Sequence, residues 1–240
     1  MRVVISQSMY FPWVGFLEQI RLADVFIHYD DVQFSRGGFS NRVQVKTAGQ
    51  MVWMTAPLSN HRLGQNVDAV KLQPVETWRG RHLSLLEQSF ETADYASDAL
   101  GLAHAVLETG HETVADLARA SMLALVRYFG LDRSTRFIDS RDLGIGGSGS
   151  ERVLALVKAV GGTDYVTGHG ARNYLDHDLL EGADVAVSYM DYRRTPYPQS
   201  HGPFTPYVTG LDLVAHCGQP GQSVISSGTR SWKEFLHESP

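Results

Sequence analysis

The sequence predicts an α/β fold, in which a mixed, partly parallel central sheet carries an inserted β-hairpin and a helical middle segment. Three observations predict it. Short apolar runs with polar ends recur along the chain: RVVIS, DVFIHYD, TRFIDS, TDYVTG and VAVSYMD. Stretches with helical spacing of apolar residues separate several of them, the alternation expected of parallel strands joined by helices. From about 75 to 130 the pattern is helical, which sets a helical segment inside the same fold.

The elements follow in order. RVVIS is a buried strand whose carboxyl end carries Ser6 and Gln7. From Pro12 to Ala23, Val14, Leu17, Ile20 and Leu22 have helical spacing, and Pro12 suits a first turn. DVFIHYD is the second strand. NRVQVKT and QMVWMTAPL alternate in polarity around AGQ and read as a hairpin with Gly49 in the turn, extended by VDAVKLQ. In the middle, Trp78, Leu85, Leu86 and Phe90 share one helical face, and Val114, Leu117, Ser121 and Leu125 share another that stops at Gly130. Ser148 and Glu151 form a capping box before a helix built on Val153, Leu156, Val157 and Val160 and closed by Gly161. No repeat, low-complexity tract or linker divides the chain, so residues 1–240 read as a single domain.

Composition narrows the function. With 43% hydrophobic and 20% charged residues the chain is an ordinary globular protein. A net charge of −5 gives no general attraction to nucleic acid or to an anionic membrane. The lone cysteine, Cys217, excludes an internal disulfide and a multi-cysteine metal site, in keeping with a reducing cytoplasm. The N-terminus lacks the pattern of a secretory signal, and no window approaches the roughly 18 unbroken apolar residues of a membrane helix.

Ligands of open α/β sheets gather at the carboxyl ends of the strands. That rule collects Ser6, Gln7 and Tyr10, then Asp30 and Asp31, Asp139 and Ser140, Gly168 and His169, and finally Asp191 and Tyr192. Gln7, Tyr10 and Trp13 would wall a pocket; the competing reading makes the aromatic pair a core plug. Asp30 and Asp31 suit proton transfer, but neighbours on a strand point to opposite faces, so only one reaches the site. His169, between two glycines, is exposed enough for a general base or acid. Arg36, Asn41 and Arg42 in SRGGFSNRVQ suit a phosphate or carboxylate, the alternative being an ion pair of Arg42 with Asp30 or Asp31. GIGGSGSER resembles a phosphate cradle without its lysine, and a flexible connection is the expectation. The Pro/Gly-rich segment with Tyr197, Gln199, His201 and Phe204 reads as a lid. Cys217 beside His216 suggests a thiolate, against the stronger reading of buried packing. No spacing fits a zinc template, and no motif requires a cofactor.

The segments QSMYFPWVGF, ADVFIHYDDVQFSRGGFSNRVQVKTAGQMVWMTAPL, GGTDYVTGHGARNYLD and PFTPYVTGLDLVAHCG occur in the order of the WbqC-like protein family. From residue 4 to about 218 the chain resembles a member, with family-like positions that include Gln7, Tyr10, Asp30, Gln33, Asn41, Arg42, Tyr174 and Asp212. It departs from the family in having Ser8 after Gln7 where Pro is usual, which loosens one turn. The resemblance implies work in bacterial surface-polysaccharide or specialised-metabolite biosynthesis, where some members are labelled glycine or acyl transferases. The expectation is therefore a transferase moving an acyl or aminoacyl group, such as glycyl, from a donor onto an amine of an amino sugar or related small molecule. Asp31 or His169, with Asp30 beside them, would take the proton. Gln7, Tyr10, Trp13, Gln33, Arg36, Asn41, Arg42, Tyr174, Tyr197 and His201 would bind substrate. Two alternatives stand beside it. The turn from Pro12 to Gly15 is similar to that of ATP-using nucleotidyl-transfer domains, except that Trp13 and Val14 stand where their His would be. Aromatic-rich loops equally suit a non-catalytic scaffold.

Overall fold

The computed structural model describes residues 1–237. Its centre is a six-stranded sheet in the spatial order β10-β9-β8-β1-β2-β7. The strands are β1 (Arg2–Ser6), β2 (Val25–His28), β7 (Arg136–Asp139), β8 (Asp164–Thr167), β9 (Ala186–Asp191) and β10 (Gly228–Ser231). All neighbours pair in parallel except β10, which runs antiparallel to β9. Numbered along the chain, the five parallel strands lie in the order 3-2-1-4-5, so the winding reverses between β1 and β8. Such a reversal opens a crevice above the carboxyl ends of the two strands.

Side chains of successive strand residues leave the sheet on opposite faces, and the core divides accordingly. Val3, Ile5, Val25 and Ile27 pack with Leu156 and Val157 of α5 (Gly149–Ala159), Leu180 of α6 (His177–Glu181) and Phe235 of α8 (Trp232–His237). Val4 and Phe26 pack on the other face with Leu17 and Ile20 of α1 (Val14–Leu22), Met122 of α4 (Val114–Tyr128) and Leu211 of α7 (Gly210–Cys217). The same layer continues into α2 (Arg79–Ser89) and α3 (Ala96–Glu108).

The hairpin forms as its alternation predicts. β3 (Arg42–Thr47) pairs with β4 (Gln50–Thr55) around Gly49, whose φ of 84° a side chain would resist. VDAVKLQ does not extend it. Val67 and Asp68 donate instead to the carbonyls of Val32 and Asp30, and the two-residue β6 (Lys71–Leu72) pairs with β5 (Leu58–Ser59). With both valines fully buried, Val67 and Val70 anchor this segment in the core, away from the hairpin.

The capping box also lies elsewhere than expected. Thr113 and Asp116 form one at the start of α4, each side chain accepting from the other's backbone N–H. Ser148 has the extended backbone of a cap yet makes no capping bond, and Gly147 and Gly149 on either side hold φ of 94° and 61°. The backbone N–H groups of residues 145–149 have no partner among the described hydrogen bonds.

Candidate active site

The polar end of β2 splits by strand alternation. His28 and Asp30 turn toward α4, while Tyr29 and Asp31 turn toward α5. Asp30 is wholly buried. Its Oδ1 accepts from the Ser8 backbone N–H at 2.8 Å, and its Oδ2 accepts from Ser8 Oγ at 2.8 Å and from Arg119 Nε at 2.6 Å. Arg119 also bridges to Asp139. Burial alone would raise the Asp139 carboxyl, but bonds from Arg119 and from the Arg141 backbone N–H outweigh it and hold it below the usual range. Asp30, expected among the proton acceptors, thus sits in a closed knot that ties β1, β2, α4 and β7 together.

Asp31 has the open position. Ser140 Oγ donates to its Oδ1 at 2.6 Å, and Arg152 of α5 pairs with its Oδ2 while lying over the Tyr29 ring, 4.8 Å from the ring centre. Arg152 Nε donates to the Ile145 carbonyl at 3.0 Å, which fixes the glycine-rich loop to the helix that follows. Asp31, Ser140, Arg141, Arg152 and residues 144–147 line an open cavity of about 350 Å³. GIGGSGSER is therefore a wall of this cavity, not a free connection. On the far side of Arg141, Nε lies 2.6 Å from Asp68 Oδ2, out of line for a hydrogen bond. Burial pushes the Asp68 carboxyl up, Arg141 opposes this, and the nearby Asp31, Asp30 and Asp139 push it higher.

A second cavity of about 380 Å³ lies beside the hairpin, lined by Arg36, Asn41, Arg42 and His61 over an apolar floor that includes Phe34 and Pro57. Asn41 Nδ2 donates to the Ala56 carbonyl at 2.9 Å. Arg42 pairs with neither Asp30 nor Asp31; it donates to the Gly37 carbonyl and stacks on Trp53 at 4.1 Å.

Gln7 and His169 occupy the reversal point. In the register that sets Val3 opposite Tyr165, each lies four residues further along, Gln7 half-buried and His169 exposed. His169 Nε2 donates to the Met190 carbonyl at 2.7 Å, and the ring packs on Tyr192 and Phe235. Nδ1 is then the nitrogen open to a proton. Neither residue lines either of the two cavities above.

The other expected binding residues divide further. Tyr10 is fully buried, its hydroxyl 3.0 Å from His82 Nδ1, so it fills the core instead of walling a pocket. Trp13 folds over Gly15, where an added Cβ would stand 2.2 Å from its ring, and packs on Tyr192 and Tyr207. Gln33 is exposed and forms a lone β-bridge with Asn66, and Tyr174 is exposed. The expected lid is pinned: Tyr197 is buried, His201 Nε2 bonds the Ser89 carbonyl at 3.1 Å, and Lys46 Nζ holds the carbonyls of Gly202 and Pro203. Burial pushes the Cys217 thiol up, away from a thiolate.

Sequence reasoning missed Arg152, Arg119, Asp68 and His61. Arg152 carried a signal, since it falls on the same helical stripe as Val153, Leu156 and Val157, where a cation needs a buried partner. Among the described residues no group of three or more His, Cys, Asp or Glu is placed to hold a metal ion. No described helix is long and apolar enough to cross a membrane.

Comparison with known proteins agrees with the family motifs in the sequence. A protein of Mycobacterium tuberculosis, the uncharacterized Rv1507c, is 32% identical over 220 residues, covering 90% of this chain and 94% of that protein. No solved structure matches the chain. The model of the WbqC-like protein family matches residues 7–223, a span that takes in both cavities and the reversal point, and the chain belongs to that family.

Proposed function

We propose that the protein is a cytoplasmic transferase that moves an acyl or aminoacyl group, such as glycyl, onto the amine of an amino sugar or related small molecule in bacterial polysaccharide or specialised-metabolite biosynthesis. The observation that carries this reading is the cavity at the carboxyl ends of β2 and β7, with Asp31 on one wall and Ile145, Gly146 and Gly147, whose N–H groups have no partner among the described hydrogen bonds, on another. Its volume suits a small ligand. In this reading the acceptor amine attacks the donor's acyl carbonyl, its proton passes to Asp31, and the leaving group departs with the electron pair. The N–H groups of Ile145, Gly146 and Gly147 are available to the oxyanion, and Arg152 and Ser140 hold Asp31 in orientation.

Mass spectrometry of amino sugars incubated with the protein and a panel of acyl and aminoacyl donors tests the reading. Acylated product is expected from the native protein. Asp31→Asn keeps an oxygen for Ser140 and should lower the rate about 10²- to 10⁴-fold, the usual contribution of a proton-transfer group. Full turnover in Asp31→Asn would remove the mechanism.

A second reading, an ATP-dependent activating or nucleotidyl-transfer enzyme, is favoured by the 3-2-1-4-5 strand order, because nucleotides bind at such reversal points. Gln7 and His169 would then be the residues in contact with ligand. Trp13 counts against it, since its ring closes over Gly15 at the start of α1.

A further inference from the structure

The second cavity has a chemistry that the transfer reading does not use. Arg36, Arg42 and His61 line it, and no acidic residue does. The contrast with the first cavity is direct, because Arg141 and Arg152 there each face a carboxylate, Asp68 and Asp31. Two donors of the second cavity are also unspent. Arg36 Nη2 approaches His61 Nδ1 at 3.4 Å, which makes Nδ1 the acceptor and leaves the proton on Nε2. His61 Nε2 and Arg42 Nε are both buried polar atoms without a hydrogen-bond partner. Buried donors left without an acceptor are unfavourable, and an anion with several oxygens would satisfy them together.

The hairpin supplies a second feature. Arg42 pairs with Thr55 and Gln44 with Trp53, so Arg42, Trp53 and Thr55 project from the same, outer face. Trp53 is 40% exposed and Phe39 is 41% exposed, their rings 5.9 Å apart, and the Arg42 guanidinium lies over the Trp53 ring. An exposed aromatic surface thus adjoins a cationic cavity in a chain whose net charge is −5. We propose that this cavity binds a phosphate ester, with the phosphate held by Arg36, Arg42 and His61 and the attached ring lying on Trp53. Sugar phosphates and nucleotides both have that chemistry. The assignment goes beyond the transfer reading and is measured without turnover, so either can fail alone.

Calorimetric titration of the purified protein with inorganic phosphate, glucose 1-phosphate and uridine monophosphate tests it. Both esters are expected to bind more tightly than inorganic phosphate, and the tighter ester names the source. Arg36 is exposed, so Arg36→Ala should leave the fold intact and weaken every probe about 10- to 100-fold, with Arg36→Lys recovering part of the loss. Trp53→Ala should weaken both esters and leave inorganic phosphate unchanged. Absence of binding by any probe at about 10 mM, or native affinity in Arg36→Ala, would overturn the site. Native ester affinity in Trp53→Ala would overturn the ring contact.

Discussion

His28 stands at the end of β2 with its Nδ1 2.8 Å from Ser8 Oγ. The Ser8 hydroxyl has one proton and gives it to Asp30, so His28 Nδ1 is the donor and the ring is neutral. Burial depresses its pKa to about 4; Asp30 and Asp139 oppose this, and Arg119 adds to it. His82 is depressed to about 4 in the same way, chiefly by burial, with its Nε2 donating to the Thr55 carbonyl. The unfolded chain takes up protons at these positions near pH 6.5, whereas the folded chain refuses them until about 4. Stability from both rings is therefore complete above pH 6.5 and is lost as pH falls toward 4, by about 3 kcal/mol for each ring. The melting temperature should fall across that window, and His82→Gln should flatten the fall. A profile indifferent to pH between 6.5 and 4 would contradict the account.

Residue by residue, the sequence placed Asp31 and Ser140 after two separate strands, and the structure makes those strands neighbours and joins the two residues by a hydrogen bond. The strand rule also separated Asp30 from Asp31, though it could not say which one faced solvent. That choice is made by Arg119 and Arg152, which reach the pair from helices about 90 and 120 residues further along the chain.

Among the elements, α7 shows why the link from β1 to α1 carries large side chains. Phe11 takes a φ of 39°, and its carbonyl accepts from Thr209 Oγ1 at 3.0 Å. The Pro12 carbonyl accepts from the Gly210 N–H at 2.7 Å. The link is a seat for the first turn of α7, and its aromatic residues are the packing that fixes the seat. Only glycine fits at 210, since a Cβ there would lie 2.7 Å from the Pro12 oxygen and 3.0 Å from Leu125. Gly210→Ala should cost about 1–3 kcal/mol in denaturant unfolding. Gly101, inside α3 with nothing near its missing Cβ, should gain up to about 1 kcal/mol as Ala. Equal midpoints for the two variants would contradict the seat.

The legibility of the elements follows from the same physics. Strands buried on both faces wrote themselves as apolar runs, and α4 and α5 as apolar stripes. β10 did not, because GTRS is a polar edge strand that gains its place by pairing with β9. α3 showed poorly as a separate helix because the small Ala99 and Ala103 share its buried face.

At the scale of the molecule, the candidate residues from the strand ends and from the SRGGFSNRVQ segment do not share one chamber. Asp31 and Ser140 belong to the first cavity, Arg36, Asn41 and Arg42 to the second, and Gln7 and His169 to the reversal between β1 and β8. Periodicity reports which face a residue takes; it does not report which loop stands between two strand ends. The glycine-rich loop before α5 walls the first cavity and is held to its helix by Arg152.

The central claim is that the acceptor sits in the first cavity, against the glycine-rich loop that precedes α5. Hydrogen–deuterium exchange with and without an amino sugar that the protein acylates tests it most directly, because the amides of residues 145–149 are unpartnered in the free protein. The account predicts slowed exchange at 145–149 and little change at 7–15 and 168–170. Protection at 7–15 and 168–170, with 145–149 unaffected, would move the ligand to the reversal point and contradict it.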